Sequence, residues 1–418
     1  MRRLYWKQDK LRNYQNRKLQ YVVNYAYNNI KFYNEKFKEN NVYPDDIKTI
    51  EDLNKLPVIK KHELKNESPD RLVSPLYNVN ELKVIRTSGS TGVPFKLFID
   101  KKEDDWRKSI YMRANISCGQ RLRDRWVVVT APHHFSDTTS IQRRLGIFSQ
   151  DCVSVFDTIE NQKRNIEKLQ PDVLDGYSGS LLLLAKNVEQ DTVIRPKVMF
   201  GSAELIDSNS QKVIERAFNA PFLDQFGCAE IDRSAWQCPE KIGYHMDVDS
   251  VITQFVDDDG IEVGPEESGN IVYTSLFNYA MPLLRYSVGD VGKSSAETCP
   301  CGRTLPLMKV IEGRKDSVVV LPSNRVLSPR MFTLTMSQYP RYSDIEQFRV
   351  IQKKIDLLHL YIERKTASVE ESIMERELRE HFRSFLSLSD EVLLEVIFVD
   401  RIPLGDTGKL QAVFSEIA

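Results

Sequence analysis

Between Leu82 and about Val272, short apolar runs alternate with segments of helical periodicity, and this alternation limits the possible folds more than any other feature of the chain. Trp126–Thr130, Val173–Leu174, Val198–Phe200 and Phe222–Leu223 read as strands, with Asn161–Leu169 and Ser208–Phe218 as helices among them. Such an order favours an α/β layered domain with a substantial parallel sheet. Upstream, Leu19, Val22, Val23, Tyr25, Ala26, Ile30 and Phe32 recur near helical spacing, so residues 1 to about 75 read as amphipathic helices, punctuated by Pro44, Pro57 and Pro69. Downstream, the turn signals Asp257-Asp258-Asp259-Gly260 and Gly264-Pro265 separate strand-like runs in residues 250–292, which suggests a small, mostly antiparallel β unit. A boundary falls near Gly313-Arg314-Lys315-Asp316. Beyond it, Phe348–Gln352 and Leu357–Ile362 read as a strand pair, Val369–Phe385 as a charged helix and Glu391–Phe398 as another strand. These elements make a small α+β domain that ends in a glycine-rich loop.

Bulk properties exclude several classes. The 418 residues are 41% hydrophobic and 28% charged with a net charge of −1, enough for two or three domains and without the basic excess of a nucleic-acid binder. Met1–Lys7 lacks the apolar core of a signal peptide, and the longest apolar candidate, Leu181–Ala185, is far short of a membrane span. Six cysteines in a chain of this length do not make a disulfide scaffold, so a reducing cytoplasm is expected.

Several short segments carry chemistry. Thr87-Ser88-Gly89-Ser90-Thr91-Gly92 joins two strand-like runs by a loop of hydroxyls and glycines, whose N–H and O–H groups suit an anion such as a phosphate. It is not a Walker A loop, because no Gly-Lys-Ser/Thr follows. Gly201-Ser202-Ala203-Glu204 and Gln225-Phe226-Gly227 follow predicted strands, where ligands of α/β sheets lie. Phe226 can stack on a base, and Glu230 can hold Mg²⁺ beside phosphates. Asp290 stands in a predicted turn, and Lys409 sits on a glycine loop near the end of the chain.

Taken in order, Thr-Ser-Gly-Ser-Thr-Gly, Phe-Gly-x-x-Glu, Gly-Asp, Gly-Arg-x-Asp and a C-terminal Gly-Lys resemble the adenylate-forming superfamily of acyl-CoA synthetases. Asn29, Phe32, Tyr33, Leu53–Pro57 and Cys299-Pro300-Cys301-Gly302-Arg303-Thr304 make the chain similar to the branch of phenylacetate-CoA ligases, coenzyme F390 synthetases and CapK proteins, over essentially its whole length. The resemblance implies that family's fold: a large N-terminal domain of layered sheets and helices, residues 1–314, and a small mobile α+β lid, residues 315–418. It implies that Ser88–Gly92 hold the ATP phosphates, with Thr87 at the loop's start, and that Gly201–Glu204 and Gln225–Gly227 form the adenine pocket. Glu230 would bind Mg²⁺, Asp290 the ribose, and Arg314 the ribose or phosphate. Lys409 would bridge the carboxylate and the α-phosphate. His133, His134, Phe135, Tyr177 and Ser178 would line the acyl pocket, and their polarity argues against phenylacetate itself.

The same branch carries a Cys, His, Cys, Cys zinc site, which falls here on Cys238, His245, Cys299 and Cys301 and would pin a β unit around residues 238–301. Three thiolates and an imidazole suit tetrahedral structural Zn²⁺. Two departures stand out: Phe226 replaces the family's usual Tyr, and Ser287 replaces a common basic residue. The implied activity is an ATP-dependent acid–CoA ligase, with ATP, Mg²⁺, CoA and structural Zn²⁺, a small acid as substrate and a homodimer as an open option. The alternatives are an F390 synthetase-like adenylyltransferase that moves AMP to a hydroxyl, and a CapK-like polysaccharide-biosynthesis protein.

Overall fold

The computed structural model describes residues 1–86, 95–132, 135, 138–189, 192–204, 206–312, 319–323, 325–327, 329–365, 369–403 and 412–417. Its two compact units do not follow chain order: one joins Met1–Cys118 to Gln225–Ile311, the other Gly119–Asp224 to Glu312–Ala418. The boundary expected at 314/315 lies outside the described residues.

The second unit contains the parallel sheet. Its strands run Gln150–Ser154, Trp126–Thr130, Val173–Tyr177, Val198–Ser202 and the first half of Phe222–Cys228, all parallel to their neighbours. Val127, Val129, Leu174, Met199 and Phe222 are buried with Ile166, Leu181, Leu184, Ile214 and Phe218 from three helices, Ile159–Leu169, Ser178–Asn187 and Ser208–Phe218. Two of these helices have clear punctuation. Thr158 and Asp207 cap their starts by accepting backbone N–H groups, and Gln170 and Asn219 end them in the left-handed region.

The C-terminal part of this unit is a four-stranded sheet in the order Leu393–Val399, Leu357–Arg364, Ile345–Lys354, Val413–Ser415. The central pair is antiparallel and each outer strand is parallel to its neighbour. Helices Pro329–Ser337 and Glu371–Leu386 bury Phe332, Met374, Leu378 and Phe382 against Val350, Leu358, Leu360 and Leu394. At the end of helix Ser178–Asn187, Lys186 Nζ donates to Ile345 O at 2.9 Å and lies 4.0 Å from the Tyr342 ring centroid, while Asn187 Nδ2 donates to Glu346 Oε1 at 2.6 Å.

Burial lowers the Lys186 ammonium from 10.5 to about 8. The folded chain therefore gives up this proton more readily than the unfolded chain, and unfolding between those two values takes a proton up. Stability from this residue rises with pH across that window, by up to about 1.4 kcal/mol per pH unit. Unfolding free energies measured from pH 8 to 10 should climb for the parent relative to Lys186→Met; parallel profiles would refute this.

In the first unit, the sheet order is Val251–Val256, Gly269–Ser275, Tyr286–Ser295, Leu307–Glu312, Tyr244–Met246, Asp232–Gln237 and the second half of Phe222–Cys228. The expected antiparallel unit is present as the first three of these strands. Helices Gln8–Asn29 and Lys31–Glu39 bury Leu19, Val22, Val23, Ala26 and Phe32, five of the residues singled out by periodicity, while Tyr25 is half-buried. Lys83–Arg86 and Lys96–Ile99 form the two arms expected around the hydroxyl-rich loop. Helix Lys101–Ser117 is capped by Asp100 and tied to the sheet by a buried charge cluster. Arg113 reaches Asp249 at 2.6 Å and Asp247 at 2.7 Å, and Arg233 reaches Asp247 at 3.0 Å. No helix among the described residues is long and apolar enough to cross a membrane.

Two local expectations are corrected. Gln225–Gly227 was expected beyond a strand end but lies inside Phe222–Cys228. Residues 222–224 pair in parallel with Met199–Gly201, and residues 225–228 then find an antiparallel partner in Asp232–Gln237, which prolongs the strand. Asp290 was expected in a turn but lies within Tyr286–Ser295. Gly289, at φ +85°, sits where the register with Gly269–Ser275 shifts, so the chain passes the irregularity and remains a strand.

Candidate active site

Glu230 is a buried, paired acid of the expected site. It is 2% exposed, and its Oε1 accepts the Tyr286 hydroxyl at 2.9 Å and pairs with Lys61 Nζ at 3.2 Å. The backbone explains the convergence. Ile59–Lys60 pairs in parallel with Tyr286 and Ser287, and Ile59 N donates to Arg285 O at 2.9 Å. The buried Arg285 guanidinium donates to Leu56 O and Gly260 O, and burial lowers it to about 10. Arg285 therefore holds the segment that carries Lys61. The Glu230 main-chain oxygen accepts Arg107 Nη2 at 2.8 Å, which holds the backbone at this position. A carboxylate is the hard oxygen donor that Mg²⁺ takes, although Lys61 and Tyr286 already occupy Oε1.

Asp290 and Cys228 are neighbours of this acid. Burial, then Glu230 and Asp290, push the Cys228 thiol well above its ordinary value, which favours the protonated thiol over the thiolate. Gln225 is buried and donates from Nε2 to Asn115 Oδ1 at 2.8 Å. Phe226 meets Tyr244 edge-on at 6.5 Å between centroids. A Cβ at Gly227 would fall 2.0 Å from Asp232 O, so only glycine lets these strands close.

The remaining adenine-pocket candidates lie in the other unit. A Cβ at Gly201 would sit 2.1 Å from Phe222 Cζ and 2.6 Å from Ser178 Oγ. Ala203 takes φ +72°, a left-handed turn at a strand end, and Glu204 Oε2 accepts Gly179 N–H at 2.7 Å. Of the acyl-pocket candidates, Ser178 is fully buried with its hydroxyl 3.2 Å from Asp224 Oδ1, Tyr177 is buried, and Phe135 is exposed. Thr87–Gly92, His133, His134, Arg314 and Lys409 lie outside the described residues.

The four metal candidates do come together. The ligand atoms of Cys238, His245, Cys299 and Cys301 all lie within 4.8 Å of one another. Cys238 Sγ is 3.5 Å from Cys299 Sγ, and Cys301 Sγ is 3.3 Å from His245 Nε2. His245 Nδ1 lies 3.4 Å from Leu305 O, a backbone acceptor that would leave Nε2 for a metal. Burial lowers His245 to about 4, so the imidazole is neutral as a ligand must be, whereas burial raises Cys299 to about 12 without a metal. The set is tightly grouped, sulfur-rich and four-membered, which fits closed tetrahedral Zn²⁺.

Sequence reasoning missed Lys61 and the buried pairing of Arg113 and Arg233 with Asp247. Tyr286 stands beside Ser287, one of the two departures from the family pattern, and nothing local marked Lys61.

No family model matches the chain. Curated relatives match it nearly end to end. Phenylacetate-coenzyme A ligase of Escherichia coli (strain K12) is 25% identical over 425 residues, covering 97% of this chain and 95% of the relative. Protein CapK of Staphylococcus aureus is 24% identical over 433 residues, covering 96% and 89%. Among solved structures, 2-hydroxyisobutyryl-CoA ligase in its postadenylation state, in complex with R3-HIB-AMP, superposes with a TM-score of 0.81 at 21% identity, covering 99% of this chain and 91% of that one.

Proposed function

This chain is a member of the adenylate-forming superfamily, in the branch of phenylacetate-CoA ligases and CapK proteins, and on that premise we propose that it is an ATP-dependent acid–CoA ligase. The observation that carries the reading is the end-to-end similarity to phenylacetate-CoA ligases. In the first half-reaction a carboxylate oxygen attacks the α-phosphorus of ATP and pyrophosphate leaves. In the second, the CoA thiolate attacks the acyl carbon and AMP leaves.

The residues then take these roles. Ser88–Gly92, with Thr87, would surround the phosphates. Gly201–Glu204 and Gln225–Gly227 would flank the adenine, where the small Gly201 and Gly227 permit close backbone packing. Asp290 would hold the ribose and Arg314 the ribose or phosphate. Glu230 would hold Mg²⁺, which supplies charge neutralisation between the two anions when bound. Lys61, already on Glu230, adds a second positive charge at that point. Lys409 would deliver an ammonium to the carboxylate and α-phosphate, with 315–418 acting as the lid that carries it. His133, His134, Phe135 and Tyr177 would bound the acid.

ATP–pyrophosphate exchange tests the first half-reaction without CoA. Exchange that depends on an added organic acid supports the reading; no exchange with any acid of an aryl and hydroxy-acid panel would reject it. The CapK similarity favours a second reading, a role in polysaccharide biosynthesis, which predicts activation without a CoA thioester as product.

Zinc is assigned to Cys238, His245, Cys299 and Cys301 as a structural ion, since four protein ligands leave no open position for chemistry. Metal analysis of the purified protein should find one zinc per chain, and Cys299→Ala should remove it and lower the unfolding midpoint. Protein that contains no zinc would overturn the assignment.

A further inference from the structure

Arg303 is a buried cation without a carboxylate. It is 9% exposed, and among the described residues no Asp or Glu pairs with it. The other buried arginines differ. Arg107 pairs with Glu103, Arg113 with Asp247 and Asp249, and Arg233 with Asp247, while the Glu262 charge acts on Arg285. Arg303 Nη2 donates to Ser117 O, its Cζ lies 5.4 Å from the Trp236 ring centroid, and its Nε is buried with no hydrogen-bond partner. A backbone oxygen and a ring face hold a guanidinium in place but do not neutralise it, and a buried charge left unneutralised is costly.

The side chains that act on this charge are sulfurs. Burial opposes it, and Cys301 first, then Cys118, favour it. Cys118 donates its S–H to Gln237 O at 3.7 Å, so it is a neutral thiol and brings no negative charge. Cys301 belongs to the four-residue metal cluster, with its Sγ 3.3 Å from His245 Nε2. Trp236 links the two on another side, since its ring centroid lies 5.1 Å from that of His245 as well as beside Arg303. The charges then balance. Three thiolates and a neutral imidazole around Zn²⁺ leave one negative charge over, and the Arg303 guanidinium cancels it.

Given zinc on those four residues, we propose that Arg303 is the counter-ion of the zinc–thiolate cluster, a positioning residue that acts on the metal through Cys301 by a charge-assisted hydrogen bond to its sulfur. Competition of the zinc-loaded full-length protein with a chromophoric chelator should show zinc held about 10- to 100-fold more weakly in Arg303→Met, with most of the loss recovered in Arg303→Lys, which restores the charge. Protein produced with cobalt in place of zinc gives a second readout. Its thiolate-to-cobalt charge-transfer absorption should move to lower energy in Arg303→Met, because a thiolate without its counter-charge gives up an electron more easily, and should stay at the parental position in Arg303→Lys. An Arg303 that only holds Ser117 O and Trp236 in place would lower the unfolding midpoint of the variant and leave that absorption unmoved, which would overturn the proposal. Parental zinc affinity in Arg303→Met would overturn it as well. A parent protein that holds neither zinc nor cobalt would reject the zinc assignment itself and this proposal with it, a result distinct from metal-bound parent and variant that behave alike. Should Arg303→Met not fold, Arg303→Gln, which keeps a donor without the charge, decides the same two readouts.

Discussion

Lys409→Ala will lower acid-dependent ATP–pyrophosphate exchange by about 10²-fold or more, with ATP binding and thermal stability unchanged. The reaction brings a carboxylate against a triphosphate, and negative charge grows on the α-phosphate oxygens as the bond forms. A preorganised ammonium at that point stabilises the transition state more than the separated reactants, and removing one such donor costs about 3 kcal/mol. Lysine on a glycine-rich loop also suits a group that must leave once the adenylate has formed. The second half-reaction should be largely spared, so thioester formation from a supplied acyl-adenylate should proceed near the parental rate. Parental exchange rates in the variant would remove Lys409 from the chemistry.

Asp247→Ala will destabilise the first unit by about 3–5 kcal/mol. Asp247 is fully buried and receives Arg113 at 2.7 Å, Arg233 at 3.0 Å and Trp236 Nε1 at 3.3 Å. Arg113 keeps Asp249, but Arg233 loses the Asp247 carboxylate, retains the backbone acceptors Ile110 O and Tyr111 O, and is left charged and 6% exposed. An uncompensated buried guanidinium costs more than the pair contributed, because its solvation is not restored. Denaturant unfolding should show a lower midpoint at an unchanged slope. A shift below about 1 kcal/mol would mean that water reaches the cluster and screens it.

How legible these features were depends on whether the signal is local. Trp126–Thr130 appears as the expected strand because three consecutive valines between Trp126 and Thr130 suit a doubly buried position. Ser208–Phe218 keeps its expected bounds because Asp207 caps one end and Asn219 turns left-handed at the other. The expected helix Val369–Phe385 is found at Glu371–Leu386 and the strand Glu391–Phe398 at Leu393–Val399; the helix start slips where Glu370 makes no side-chain cap bond, and its end runs one residue further to the left-handed Ser387. Asp290 misled because Gly-Asp is a turn signal on its own, and only the neighbouring strand shows that Gly289 is absorbed as an irregularity. The cysteine and histidine set was legible only through the family resemblance, since its members are spread from residue 238 to 301 and meet through folding. Lys61 was not legible at all. It meets Glu230 because a two-residue strand pairs beside Tyr286, a contact that no local pattern encodes.

The central claim is that an adenylated acid is handed to CoA. The measurement that tests it most directly is mass analysis of the products when the protein is given ATP, Mg²⁺, CoA and a panel of aryl and hydroxy acids. An acyl-CoA thioester should form with one AMP and one pyrophosphate per thioester, for at least one acid. Acid-dependent pyrophosphate release with no thioester, or AMP left covalently on an acceptor hydroxyl, would contradict it.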